Sequence, residues 1–332
     1  MLGKMLQVHG TEMESVTHDT YLGDIISSDG RNTKNVKKRI SKGIGISTQI
    51  VNLLNSICLG EYYIEIALLL REAILINGIL TNAEIWYSIT KEEMKEFEDL
   101  DKSMLRKILQ VPFPTPSEAF FLELGILPIG VIVKARRANY LHYLLKRDEN
   151  EMLHTFFMTQ WFNETVGDWT QQVKADLEDL NIPCNFEYIR SKSPSAFKEL
   201  VKRQAKGYAL QILREKQMKH SKMDNLYYSE LKLQTYFKIP GIQTKEVLTP
   251  FKWRVGMAPF GENFRGGCCN MFCPLCEVHL DNQSTIFQCE VIRKQLTINC
   301  GIDDIYRENI KLETAKKLTE IEEFSESRRK EK

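Results

Sequence analysis

Residues 62–80 read YYIEIALLLREAILINGIL, and from Ile64 onward only Glu65, Arg71 and Glu72 carry charge. A helix over this stretch is apolar nearly all round, so neighbouring elements have to cover it. A membrane span has a similar length. Here, however, Arg71 and Glu72 sit at the midpoint, where ions are costly in lipid, and no long apolar flank extends the stretch. The segment reads as the buried spine of a helical domain, with no membrane partner.

Towards the N-terminus, residues 31–60 carry Arg31, Lys34, Lys37, Lys38, Arg39 and Lys42 and no acid. Thr33 can cap a helix whose apolar stripe is Val36, Ile40, Ile44, Val51, Leu54 and Ile57. Lys34, Lys37, Lys38 and Lys42 then form a ridge beside it. Such a row is commonly a solvated face, but the lack of any compensating acid favours contact with a phosphate backbone. Before the ridge, residues 7–27 break into short strands between the turn residues Val8-His9-Gly10 and Ser28-Asp29-Gly30. A two-stranded hairpin is marginal alone and needs the helices beside it.

Towards the C-terminus, Thr90 and Glu93 spell a capping box. Met94, Phe97, Met104, Leu105 and Ile108 mark the buried side of the helix that follows. Three prolines then break the chain at residues 112–116. Thr115, Pro116 and Glu118 fit the cap, first helical position and third-position acid of a short helix ending at Gly125. A long helix over residues 128–146 carries Lys134, Arg136 and Arg137.

The chain has 332 residues, 43% of them hydrophobic, enough for two or three compact units. Its 45 basic and 44 acidic side chains nearly cancel, so net charge alone names no partner. The expected division is a β-hairpin (1–30), a helical domain (31–147), a second helical region (148–250), a cysteine-rich segment (251–300) and a charged helical tail (301–332). Within the second region, basic and aromatic residues interleave, as on nucleic-acid surfaces and equally in ordinary amphipathic helices.

Of eight cysteines, Cys268, Cys269, Cys273, Cys276 and Cys289 fall close together. The start, Met-Leu-Gly-Lys-Met, lacks the apolar core of a secretory signal. The expected location is therefore intracellular, nucleus or cytoplasm, and not secreted. In a reducing compartment such a cluster suits a metal better than disulfides. Cys273-Pro-Leu-Cys276 is a knuckle that can bring two thiolates to one zinc, and Cys289 can return as a third. His279, Cys269 and Cys268 are the candidates for a fourth, with His279 first because imidazole commonly binds zinc. No sequence context sets a base beside any thiol, which argues against a cysteine nucleophile.

Several motifs in order carry a family resemblance: Thr20-Tyr-Leu-Gly23, Ser28-Asp-Gly30, Asn77-Gly-Ile-Leu-Thr-Asn-Ala-Glu-Ile-Trp86, Leu122-Glu-Leu-Gly125 and Lys134-Ala-Arg-Arg137 with Tyr140-Leu-His-Tyr143. Together they resemble the region downstream of the catalytic palm in reverse transcriptases of non-LTR retrotransposons. Asn263-Phe-Arg-Gly266 and Cys273-Pro-Leu-Cys276 with Asp281-Asn-Gln283 and Cys289 resemble the zinc knuckle of the same polyproteins.

The resemblance implies a palm-edge strand at Tyr21-Leu22-Gly23, a thumb in the helices from Lys34 to Arg147 that holds a template-primer duplex, and a knuckle that binds nucleic acid. Two departures accompany it. The magnesium-binding aspartates of the polymerase turn are missing, so no magnesium is expected; Asp303-Asp304 reads as a helix start. Thr285 stands where the family places a zinc-ligating histidine.

The expectation is a mainly α protein, a thumb-like helical bundle with a short N-terminal β-hairpin and a small cysteine-rich, zinc-knuckle-like unit. Its function would be that of a nucleic-acid-binding remnant of an RNA-directed DNA polymerase, with no polymerase chemistry in isolation. Lys34, Lys37, Lys38, Arg39, Lys42, Lys134, Arg136 and Arg137 would contact RNA or an RNA–DNA duplex, and Cys273, Cys276, His279 and Cys289 would hold zinc. Two other readings compete: a helical protein-interaction module with a zinc-stabilised end, and a relic without function.

Overall fold

Local sequence chemistry sets many of the element ends in the computed structural model, which describes residues 6–8, 11–13, 16–21, 23–86, 89–163, 167–263, 272–273, 275–296, 300–307 and 309–331. Two short antiparallel pairs come first, β1 (Leu6–Val8) with β2 (Thr11–Met13) and β3 (His18–Tyr21) with β4 (Asp24–Ser27). The rest of the described chain is mainly helical. α1 (Thr33–Ser56) is followed by α2 (Tyr63–Leu70), a π-helical turn (Arg71–Ile76), α3 (Asn77–Ile79), α4 (Lys91–Ile108), α5 (Ser117–Leu124) and α6 (Ile129–Leu145). Then come α7 (Met152–Asn163), α8 (Trp169–Asp179), α9 (Phe186–Ser191), α10 (Pro194–Gln217), α11 (Thr244–Arg254), α12 (Glu290–Leu296), α13 (Ile302–Tyr306) and α14 (Leu312–Glu331). Among the described residues no helix is long and apolar enough to cross a membrane.

The capping box at α4 forms in both directions: Thr90 N donates to Glu93 Oε2 at 3.0 Å, and Glu93 N to Thr90 Oγ1 at 3.1 Å. Gly125 ends α5 in the left-handed region at φ +65°, and a Cβ there would lie 2.1 Å from the Lys232 carbonyl carbon. Thr115 does not cap α5, because its hydroxyl donates to Pro112 O at 2.8 Å and the helix starts two residues later.

Two expected burial patterns change. On α1 the buried stripe runs through Val36, Gly43, Ser47, Ile50 and Leu54, leaving Ile44 and Ile57 exposed. Gly43 sets this rotation, since a Cβ there would sit 2.5 Å from Leu100 and 2.8 Å from Ile79 side-chain carbons. The spine is not covered all round. Tyr63, Ile64, Ala67 and Arg71 are buried in one unit, and Leu75, Ile76, Ile79 and Leu80, from within the π turn onward, are buried in the other. Leu69 and Ile74 lie on the outer side and are exposed.

Arg71 is buried at 2% exposure yet fully paired. Its Nε and Nη2 reach Asp101 Oδ1 and Oδ2 at 2.7 and 2.6 Å, and Nη2 also donates to Leu127 O at 3.2 Å.

The chain gathers into two compact units. One comprises Met1–Ile46, Ile74–Leu100 and Ile129–Ala205. Its centre is α6, which packs on α7, α8, α9 and the short turn Ala83–Ile85. Phe157, Trp161, Trp169 and Phe186 form an aromatic cluster in it, and Trp169 Nε1 donates to Glu84 O at 2.7 Å.

The other unit comprises Ser47–Ala73, Asp101–Pro128 and Lys206–Lys332. Glu123, fully buried on α5, accepts from Tyr228 Oη at 2.6 Å, Tyr236 Oη at 2.8 Å and Arg254 Nε at 2.9 Å. Burial, reinforced by the Glu123 charge, pushes both phenols well above their ordinary range. Further along, α14 packs on α11 and buries Glu322 at 3% exposure, with its Oε1 unpartnered.

Two tests follow from this unit. Glu123→Gln leaves Arg254 buried without its counter-charge and is expected to cost about 3–5 kcal/mol in denaturant unfolding. A loss within experimental error would remove the network from its central role. For Glu322, burial outweighs the nearby Lys252 and raises its pKa to about 7 from 4.5. The folded state therefore holds a proton that the unfolded chain releases. Its stabilising contribution is complete below pH 4.5 and is lost as pH rises towards 7, on the order of 3 kcal/mol in all. Glu322→Gln should flatten that part of the pH–stability curve; an unchanged slope would show that Glu322 does not cause it.

Candidate metal centre and basic surface

The knuckle is shaped by main-chain hydrogen bonds. Phe272 and Leu280 form an antiparallel bridge, Cys273 N donates to His279 O at 2.6 Å, and Glu277 N donates to Cys273 O at 2.9 Å. Glu277 takes the left-handed conformation at φ +56° to close the turn. Inside it, the N–H groups of Leu275 and Cys276 point at the Cys273 sulfur, and those of Val278 and His279 at the Cys276 sulfur. Cys289 arrives from the short turn Ile286–Gln288 at the start of α12, where its carbonyl accepts from Arg293 N at 3.0 Å.

Three sulfurs therefore converge. The Sγ atoms of Cys273, Cys276 and Cys289 all lie within 4.8 Å of one another, and those of Cys273 and Cys289 are 3.8 Å apart. These three cysteines could hold a metal ion. Burial, with the neighbouring sulfurs adding to it, pushes the Cys273 thiol up to about 12. At Cys276 burial acts the same way, but the N–H donors of His279 and Val278 overcome it and bring the thiol below its ordinary value.

The donor set suits a thiophilic ion. Backbone N–H groups point at two of the sulfurs, and Cys289 immediately precedes α12.

Among the described residues this group contains no histidine. His279 contributes through its backbone instead, accepting from Cys273 and donating to the Cys276 sulfur. The other sequence candidates for a fourth ligand, Cys268 and Cys269, lie outside the described residues. The Thr285 hydroxyl donates to Leu280 O and so closes the turn. Asp304 accepts from Gly301 N at 2.9 Å at the start of α13, the helix-start role expected of it.

The eight basic candidates divide by partner. Lys34, Lys37, Lys38 and Lys42 are exposed on α1; Lys34 Nζ is 2.8 Å from His18 Nδ1, and Lys38 Nζ donates to Gly23 O at 3.3 Å. Lys38 and Lys42 line a groove of about 390 Å³ with Gly23, Arg39, Gly78 and Thr81.

Arg39, in contrast, is buried. It pairs with Asp24, donates to Asn35 Oδ1 at 3.3 Å and stacks 5.3 Å from the Trp86 ring. Arg137 Nε reaches Asp176 Oδ2 at 2.5 Å, while Lys134 Nζ lies 3.0 Å from Asp176 and 2.7 Å from Asp179. Arg136 donates to Leu80 O at 2.6 Å and Asn77 Oδ1 at 2.7 Å. These four cations serve internal acceptors.

Gly23, Gly78 and Thr81 fall within the resemblance motifs, but sequence reasoning gave them no site role, because Gly23 is far in sequence from the other two and no local pattern joins the two segments.

No protein family, curated protein or solved structure matches the chain.

The division of cations can be tested by stability. Asp176→Asn removes the acid shared by Lys134 and Arg137 and is expected to cost about 3–5 kcal/mol in urea unfolding. Lys37→Ala, Lys38→Ala and Lys42→Ala together should stay within about 0.5 kcal/mol per site. Equal losses in the two variants would contradict the assignment.

Proposed function

We propose that this chain binds nucleic acid, as a thumb-like remnant of a non-LTR retrotransposon reverse transcriptase that clamps RNA or an RNA–DNA duplex. The observation that carries this reading is the charge on α1. No acid occurs in its 24 residues, and Lys34, Lys37, Lys38 and Lys42 crowd its N-terminal half. Lys34 lies in the first turn, where a cation opposes the helix dipole by about 0.3–1 kcal/mol, and no acid on the helix offsets the row. A sugar-phosphate backbone following the Lys38–Lys42 groove would meet repeated positive charge without base-specific contacts.

Zinc is the ion we assign to Cys273, Cys276 and Cys289, on the chemistry of thiolate ligands. Its role there would be structural, linking the knuckle to the start of α12. The six free thiols of the described chain fit a reducing, intracellular compartment. No polymerase step is assigned to the chain.

A protein-interaction module is the second reading, favoured by the exposed Met152, Leu153, Phe156 and Phe162 on α7.

Salt-titrated binding to an RNA–DNA hybrid, with zinc measured on the same preparation, tests the proposal. The logarithm of the affinity should fall linearly with the logarithm of salt. Lys37→Ala, Lys38→Ala and Lys42→Ala together should lower that slope by about two to three. An unchanged slope would sink the ridge, and absence of binding at low salt by folded protein would move the reading to α7.

A further inference from the structure

The three clustered sulfurs differ sharply in access. Cys273 is 1% exposed and Cys289 fully buried, whereas Cys276 is only partly buried at the knuckle. A small oxidant in solvent therefore reaches Cys276 and not its two buried neighbours. Two further thiols within 4.8 Å can each close on it. Cys58, Cys184 and Cys300 lie outside this group.

We propose that the cluster is an oxidative modification site, in which Cys276 reacts with a hydroperoxide and a buried neighbour resolves the product. In the first step the Cys276 thiolate attacks the peroxide oxygen. The O–O bond breaks, Cys276 becomes a sulfenic acid, and hydroxide (or an alkoxide) leaves. In the second, the thiol of Cys273 or Cys289 attacks the Cys276 sulfur, water leaves, and a disulfide forms. Two electrons pass from the two thiols to the peroxide. Two of the three metal-holding sulfurs are consumed, so the same reaction releases a bound ion. The site rests on the thiol cluster itself and not on the identity of the metal.

The test uses the full chain, reduced, stripped of metal by a chelator and treated with one equivalent of hydrogen peroxide, with and without dimedone, followed by peptide mass spectrometry. Dimedone should mark Cys276, and without it a disulfide should join Cys276 to Cys273 or Cys289. Cys273→Ser and Cys289→Ser should each keep the disulfide to the remaining partner. Cys276→Ser, with an unchanged circular dichroism spectrum, should slow thiol loss in the cluster about tenfold or more. Labelling confined to Cys58, Cys184 or Cys300, or wild-type oxidation in Cys276→Ser, would overturn the proposal. In a zinc-loaded sample a chromogenic chelator should report one zinc released per disulfide. If no zinc loads while the metal-free chain still forms the disulfide, the zinc assignment fails and the oxidation site stands.

Discussion

A single buried carboxylate organises the unit that carries the cysteines. Glu123 has no access to water, so its charge has to be met by the protein, and three donors from distant parts of the chain converge on it. Arg254 supplies the compensating charge, while Tyr228 and Tyr236 satisfy lone pairs that one guanidinium cannot fill. Arg254 passes the constraint on, because its Nη1 donates to Ile305 O at 2.9 Å and Arg307 O at 3.1 Å. Next to it, Trp253 enters the apolar cluster containing Phe260, Cys273, Ile286 and Cys289, and its carbonyl accepts from Gln283 at 2.6 Å. The convergence of three sulfurs thus has a rigid support behind it.

The same arrangement recurs where long cationic side chains are buried. Arg71 is held by Asp101, Arg39 by Asp24 and Arg137 by Asp176, each in a site where an unpaired charge would be prohibitive. The lysines of α1 are different. They remain at the surface, on a helix that carries no acid, with Lys38 reaching only the Gly23 carbonyl and Lys34 the His18 ring. This contrast, more than the number of basic residues, separates cations that hold the fold from cations left at the surface.

What could be read from sequence follows the range of the interaction. The Thr90–Glu93 box, the stop at Gly125 and the Cys273–Cys276 spacing are local, and the structure contains each of them. The mainly helical character and a short N-terminal hairpin were equally legible, through periodicity and turn residues, though the structure has two such pairs in place of one. The face of α1 was not, because Gly43 packs against Leu100 and Ile79, and nothing near Gly43 in sequence announces them. Nor was the internal pairing of Arg39 and Arg137, whose acids lie 15 and 39 residues away. Thr115 was misread for a different reason: its competing acceptor, Pro112 O, is only three residues away but is a backbone group that no side-chain pattern reveals.

The wide spacing around Glu123 bears on how the protein is made. Arg254 is 131 residues downstream of Glu123, and Tyr228 is 105. At about 5–20 residues per second, a ribosome needs roughly 7–26 s to deliver the arginine after the glutamate has emerged. Throughout that interval α5, with Phe120, Phe121, Leu122 and Leu124, has no completed core to enter, whereas the unit ending at Ala205 has all its segments before Arg254 is made. Nascent chains of this protein should therefore present one apolar helix to chaperones for much of their synthesis, and release it only when α11 arrives.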